Sequence, residues 1–283
     1  MPNTLYSVVL LLLLASCSQE SNSSSLTTPL FNPSAPPLTV GEWYKPDVTT
    51  SWQWQLKNSL NTTYDVEIYD IDLFDTNASL ISTLKDNGKK VICYFSAGSY
   101  ENWREDKESF DKELLGKTLD GWEDEQWLDI SNEKLAPIMR ARLDLALSKG
   151  CDGVEPDNMD AYQNESGFIL SSDEQLGYNK FIANEARKRG LSVALKNDLS
   201  QVIELEPYFD FSINEECNIY NECDVLQTFI NANKPVLNAE YDASYVKSNN
   251  NQRDSLCQSA KSSHFQTLIL PLELDDSFRY TCD

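Results

Sequence analysis

A single (β/α)₈ barrel is the fold this sequence predicts, on three observations. Eight short apolar or β-branched runs alternate with longer helix-like stretches. The chain from residue 39 to residue 283 has the length of one such barrel, about 250 residues. Polar side chains recur just past the end of run after run, as they must where a barrel gathers its βα loops on one face. An open, doubly wound sheet is the alternative that the same alternation permits.

The elements follow in order. Residues 8–14 form an apolar run, Val-Val-Leu-Leu-Leu-Leu-Leu, ahead of Ala15, Ser16 and Cys17. The run is well short of the roughly 20 residues that span a bilayer, so residues 1–16 are expected to be a signal peptide. Small residues before a cysteine match a bacterial lipobox, which implies cleavage before Cys17 and lipidation of its thiol. No Lys or Arg precedes the run, and an ordinary secretory signal is the other reading. Residues 17–38, rich in Ser, Asn, Thr and Pro, are expected to be a disordered, lipidated tether, because such a composition buries too little apolar surface to fold. The barrel domain is expected over residues 39–283.

Candidate strands are Ser51–Gln55, Val66–Tyr69, Lys90–Phe95, Gly153–Glu155, Val193–Leu195, Phe211–Ile213, Pro235–Ala239 and Thr267–Leu270. Several are apolar enough to be buried on both faces. The clearest helices are Asn132–Ser148 and Asp173–Arg189. In the first, Leu135, Ile138, Met139, Leu143 and Leu147 recur at helical spacing and Gly150 follows as a stop; Gly190 ends the second.

Charge narrows the partners. With 23 Lys+Arg against 45 Asp+Glu, the formal net charge is −22. Such a chain repels nucleic acid and anionic headgroups and attracts cationic ligands, although solubility alone would also account for it. Six cysteines follow Cys17, an even number suited to an oxidising compartment. Cys217–Cys223 close a short loop, Cys93–Cys151 sit where adjacent strands would meet, and Cys257–Cys282 would fasten the C-terminus; the connectivity stays open at this level. One histidine, His264, and no C-x-x-C leave little for zinc. No metal and no cofactor are expected.

The densest acidic cluster is Asp152, Glu155, Asp157 and Asp160 around the fourth strand. Strand alternation puts Glu155 and Asp157 on one side if the chain stays extended through Pro156. Glu215 follows the sixth strand. Glycosidic hydrolysis needs one carboxylic acid for the leaving oxygen and a second carboxylate to attack or to assist water. Asp157 and Glu215 are the favoured pair, and Glu155 is the rival, holding Lys196 or a substrate amine. A Ca²⁺ or Mg²⁺ site would use the same oxygens, but the EF-hand spacing is missing. Salt bridges to Arg140 or Arg142 are the structural alternative. No G-x-S-x-G motif supports a nucleophilic triad. Trp52 and Trp54, with Tyr94, Tyr100, Trp103, Tyr162, Tyr220 and Tyr241, offer flat rings for sugars or ammonium groups, though Trp54 and Trp127 also suit a packed core.

Taken together, several stretches in order resemble glycoside hydrolase family 114, the endo-α-1,4-polygalactosaminidase family. They are Trp52–Leu56, Tyr69–Asp72, Cys93–Glu101 with Trp103 and Arg104, Gly121 and Trp122 with Trp127–Asp129, Asp152–Asn158, Leu195–Asn197, and Asn214 and Glu215 with Cys217. The resemblance covers the chain from about residue 50, and Met159 is its departure. It implies endo-hydrolysis of a galactosamine-containing, cationic polymer, with Asp157 and Glu215 catalytic. It also implies that Asp70, Tyr94, Glu155, Lys196 and Tyr241 line the substrate; Trp52 is added as a stacking ring. The expected protein is thus an exported bacterial lipoprotein of the outer membrane or cell surface, monomeric and membrane-bound through its lipid. A surface lipoprotein that binds carbohydrate without cleaving it is the alternative.

Overall fold

The computed structural model describes residues 29–248 and 251–282; Cys17 and the signal segment lie outside them. Twelve strands and seven α-helices follow one another along these residues. The strands are β1 (Trp52–Gln55), β2 (Ile68–Asp72), β3 (Lys90–Ser96), β4 (Ser99–Glu101), β5 (Leu115–Leu119), β6 (Trp122–Leu128), β7 (Gly153–Asp157), β8 (Ser192–Lys196), β9 (Phe211–Glu215), β10 (Val236–Glu240), β11 (Gln266–Ile269) and β12 (Tyr280–Thr281). The helices are α1 (Ala78–Asp86), α2 (Leu135–Lys149), α3 (Ser172–Lys188), α4 (Val202–Leu205), α5 (Gln227–Asn231), α6 (Ala243–Lys247) and α7 (Gln252–Ser263).

Eight of the strands run parallel in the order β1-β2-β3-β7-β8-β9-β10-β11, and β12 pairs antiparallel with β11. These eight are the predicted runs, most with one or two extra residues at the C-terminal end. Among the described residues no ladder joins β11 to β1; that seam is bridged by Trp52 Nε1 donating to Gln266 O (2.9 Å) and Arg279 Nη2 donating to Trp52 O (2.9 Å). The curled sheet is a (β/α)₈ barrel in which, among the described residues, no helix follows β1 or β11, and the doubly wound alternative falls away.

Period-two alternation builds the interior and then the site. Ile68, Ile92, Ala194, Phe211, Ile213 and Leu237 belong to an apolar cluster distinct from the larger one around the helices. One more inward step reaches the cavity-lining Tyr94, Lys196 and Glu215 on β3, β8 and β9, and on β2 Asp70, which is still fully buried. The apolar floor thus holds the polar layer above it. Helix α2 ends where Gly150 adopts φ 91°, a conformation costly for any residue with a Cβ. Helix α3 starts at a capping box, in which Ser171 Oγ accepts from Glu174 N and Glu174 Oε2 accepts from Ser171 N. Three disulfides link Cys93 to Cys151, Cys217 to Cys223, and Cys257 to Cys282. The first ties β3 to the chain entering its neighbour β7.

Two features depart from expectation. First, residues 29–38 are not a disordered tether but a strap along α3. Phe31 is buried edge-on against Tyr178 (5.1 Å), beside Gly177, where any Cβ would lie 2.5 Å from Phe31 O. Lys180 Nζ donates to Pro33 O, Tyr208 Oη to Ala35 O, and Leu38 N to Asn184 Oδ1. Polar composition hid this because the strap's backbone oxygens are satisfied by side chains from α3 and by Tyr208. Second, β4, β5 and β6 form a separate antiparallel sheet, β4-β6-β5, inserted between β3 and α2. No described helix is long and apolar enough to cross a membrane.

Candidate active site

The C-terminal ends of the barrel strands and the inserted sheet enclose a cavity of about 990 Å³. At its floor stands Lys196, the last residue of β8 and almost wholly buried. Its ammonium lies 2.9 Å from Asp157 Oδ1, 3.2 Å from Glu215 Oε2 and 3.2 Å from Glu155 Oε1, and 4.7 Å above the ring of Trp54. Burial opposes the charge, but Asp157, Glu215 and Glu155 together hold this ammonium well above the usual lysine range.

Asp157 closes β7 and Glu215 closes β9, so each reaches the cavity from a strand end. Tyr94 Oη donates to Asp157 Oδ2 (3.0 Å) and Asn158 N to Asp157 Oδ1 (2.7 Å). On the other side Tyr241 Oη donates to Glu215 Oε1 (2.5 Å) and Asn197 Nδ2 to Glu215 Oε2 (3.1 Å). Both phenols are pushed well above the ordinary tyrosine range, first by burial and then by the carboxylate each one faces. They remain donors at neutral pH. Since one nitrogen lies within 3.2 Å of both carboxylates, the two bound oxygens stand no more than about 6 Å apart. That is shorter than the spacing of inverting glycosidases and near that of retaining ones.

The turn after β3 lets this geometry form. Ala97 N and Gly98 N both donate to Asp157 O, and a Cβ on Gly98 would fall 1.7 Å from Asn158 O. Only glycine admits that approach.

Of the residues expected to line the substrate, Tyr94, Lys196 and Tyr241 do border the cavity together with Asp157 and Glu215. Three do not. Trp52 is buried below it, stacked on Trp54 at 5.7 Å with its indole N–H spent on a backbone carbonyl, and Trp54 takes the position at the cavity floor. Asp70 and Glu155 have no exposed surface and lie a layer deeper, Glu155 against Lys196 and Asp70 beside Glu155. One strand step separates lining from support, and composition does not distinguish the two.

The sequence reading missed Glu125. It sits on β6 and reaches the cavity wall from outside the barrel, accepting Ser99 Oγ at 2.6 Å. Burial is the first cause that pushes its carboxyl up to about 7. Asp120-Gly121, with Gly121 at φ 80°, is the hairpin signal that could have revealed β5 and β6. Asp160 and Asp198 also border the cavity, pushed up to about 6 and about 8 by burial first and a neighbouring aspartate second. Acids outnumber bases on this wall by 13 to 3, and Trp103 and Trp122 are exposed at its rim. The arrangement offers two opposed carboxylates, a buried cation between them and aromatic faces within an anionic cleft.

The profile of the glycoside-hydrolase family GH114 matches residues 34–283. The crystal structure of Aspergillus fumigatus Ega3 in complex with galactosamine matches at a TM-score of 0.82 and 42% sequence identity, covering 87% of this chain and 100% of that one. The glycoside hydrolase domain of PelA from Pseudomonas aeruginosa matches at a TM-score of 0.62 and 13% identity, covering 80% of this chain and 96% of its own; that likeness is one of fold. No curated protein sequence matches.

Proposed function

The chain belongs to the glycoside-hydrolase family GH114, and from that premise we propose an endo-acting hydrolase of α-1,4-linked, galactosamine-containing polysaccharide that works with Asp157 and Glu215. The observation that carries the reading is the pair itself, facing one cavity from two strand ends across a shared ammonium. Galactosamine in the similar Ega3 structure supports an amino sugar. So does the 13-to-3 excess of acids on the cavity wall, which favours polymer ammonium groups. A cavity of about 990 Å³ exceeds a single sugar ring, as chain-internal cleavage requires.

Glu215 protonates the glycosidic oxygen while Asp157 attacks the anomeric carbon, so the glycosidic bond breaks as a glycosyl–Asp157 ester forms. Water then displaces the ester; Glu215 takes the water's proton and is restored as the acid. Tyr94 and Asn158 hold Asp157 in its line of attack, and Tyr241 and Asn197 hold the Glu215 carboxyl in place toward the leaving oxygen. The test is mass spectrometry of products from partly deacetylated α-1,4-galactosaminogalactan. Internal cleavage to oligosaccharides is expected; binding with no new chain ends would replace the hydrolase reading by that of a binding module.

The protein is proposed to act as a monomer tethered to the outer membrane or cell surface through lipid on Cys17. A site complete within one chain and three disulfides support this setting. Cells fed labelled palmitate should yield a labelled protein, and Cys17→Ala should lose the label. Equal label in both would refute the anchor.

A further inference from the structure

Asp70 on β2 and Glu155 on β7 both point into the barrel below the cavity, with no solvent-exposed surface. Only β3 separates the two strands, all four carboxyl oxygens are buried, and the two side chains interact as a hydrogen-bonding pair across the barrel interior. Among the described residues none of the four oxygens has an aligned donor, and the one cation at hand is Lys196, 3.2 Å from Glu155 Oε1. An ionised carboxylate can only accept, so two buried carboxylates facing one another would leave acceptors empty and like charges in contact. One proton between them removes both faults: the protonated carboxyl donates and the other accepts.

Burial raises both carboxyls, Glu155 to about 8 even beside Lys196, and the surroundings favour Asp70 as the holder of the shared proton. Glu155 touches the lysine; among the described residues Asp70 has no ion-pair partner, and at its level the flanking strands present Trp54 from β1 and Ile92 from β3. The titratable groups acting on Asp70 are Glu155 from β7 and Lys196 from β8, while Glu155 also faces Asp157 and Glu215. We propose that Asp70 is a positioning residue: a neutral acid that donates a hydrogen bond to Glu155, keeping Glu155 anionic so that it seats Lys196 between Asp157 and Glu215. Burial first and Glu155 second push the Asp70 carboxyl well above the ordinary range, in keeping with this. The role rests on the hydrolase reading, but the proton itself does not.

The arrangement gives the site an alkaline limit. As pH rises, Asp70 loses its proton, Glu155 is repelled, and the ammonium shifts. Folding stability follows the same sign. A carboxyl whose folded value is raised binds its proton more tightly when folded, so its contribution is present below the unfolded value and is lost as pH rises.

The test compares Asp70→Asn with Asp70→Leu in the otherwise intact chain. Asn presents a permanent N–H to Glu155 and should keep kcat/KM within about fivefold. Leu presents nothing and should cost about 100-fold, the scale of a catalytic group displaced by about 1 Å. Asp70→Asn should also move the alkaline limb of the rate profile to higher pH and flatten the dependence of Tm on pH. The protonated-carboxyl infrared absorption at neutral pH in wild type should lose one component in this variant, with those of Asp198 and Glu125 remaining. The Tm and infrared readouts need no substrate, so a wrong substrate assignment leaves them valid. The proposal is overturned if Asp70→Asn is as impaired as Asp70→Leu. It is equally overturned if Asp70→Asn leaves the pH limb, the Tm slope and the infrared band unchanged.

Discussion

Asp157→Asn and Glu215→Gln are each expected to lower kcat by at least about 10³-fold, or roughly 4 kcal/mol of transition-state stabilisation, while leaving the fold intact. Both replacements keep the side-chain shape, so the loss reports chemistry rather than packing. The two variants should then part company. Glu215→Gln lacks its proton donor, and substrates whose leaving group needs no protonation should recover much of the first step. Added azide should trap its glycosyl–enzyme and release a glycosyl azide of the substrate's own anomeric configuration. A truncated Asp157→Gly variant, given room for azide, should release the opposite anomer. Wild type itself should liberate a first product of retained configuration by NMR, because oxygens that share one ammonium stand no more than about 6 Å apart. An inverted first product would mean that Asp157 activates water instead of attacking. Activity in either isosteric variant within tenfold of wild type would remove that residue from the chemistry.

How much of this was legible in the sequence follows from what sequence pattern can encode. The eight barrel strands were legible because they are short runs rich in apolar and β-branched residues, such as Val91, Ile92 and Phe95 on β3, and Asp157 and Glu215 were legible as acids at strand ends. Depth was not. Asp70, Glu155 and Trp52 carry the same residue types as a cavity lining, but each sits one step below it. Glu125 was missed because it arrives on β6, which packs on the barrel through contacts remote in sequence. The strap was missed for a related reason: Phe31 is an isolated aromatic in a polar segment, and only the groove along α3, opened by Gly177, makes it core.

Lys196→Met is the second change with a large expected effect, and it acts on stability as well as rate. Methionine fills much of the same volume but leaves Glu155 buried without a cation and Asp157 and Glu215 facing one another. Removing one partner from a buried ion pair costs about 3–5 kcal/mol, because the stranded charge is not rehydrated. For a domain of this size that is roughly 10 °C in Tm. The site has an escape, since orphaned carboxyls can take up protons. In wild type the raised lysine contributes its full stabilisation everywhere below the unfolded lysine value, so between pH 5 and pH 8 that contribution is constant. In the variant Glu155, already raised by burial, loses the lysine that lowers it and is raised further, and such a group loses stability as pH rises. The deficit should therefore be small at pH 5 and larger at pH 8 by denaturant unfolding. kcat should fall about 100-fold or more, since the spacing of the pair is no longer fixed. Lys196→Arg should restore stability better than rate, because a guanidinium keeps the charge but not the single point that three carboxylates share. A deficit below about 1 kcal/mol at both pH values, within the range of an exposed ion pair, would mean that Lys196 neither clamps the carboxylates nor sets their separation.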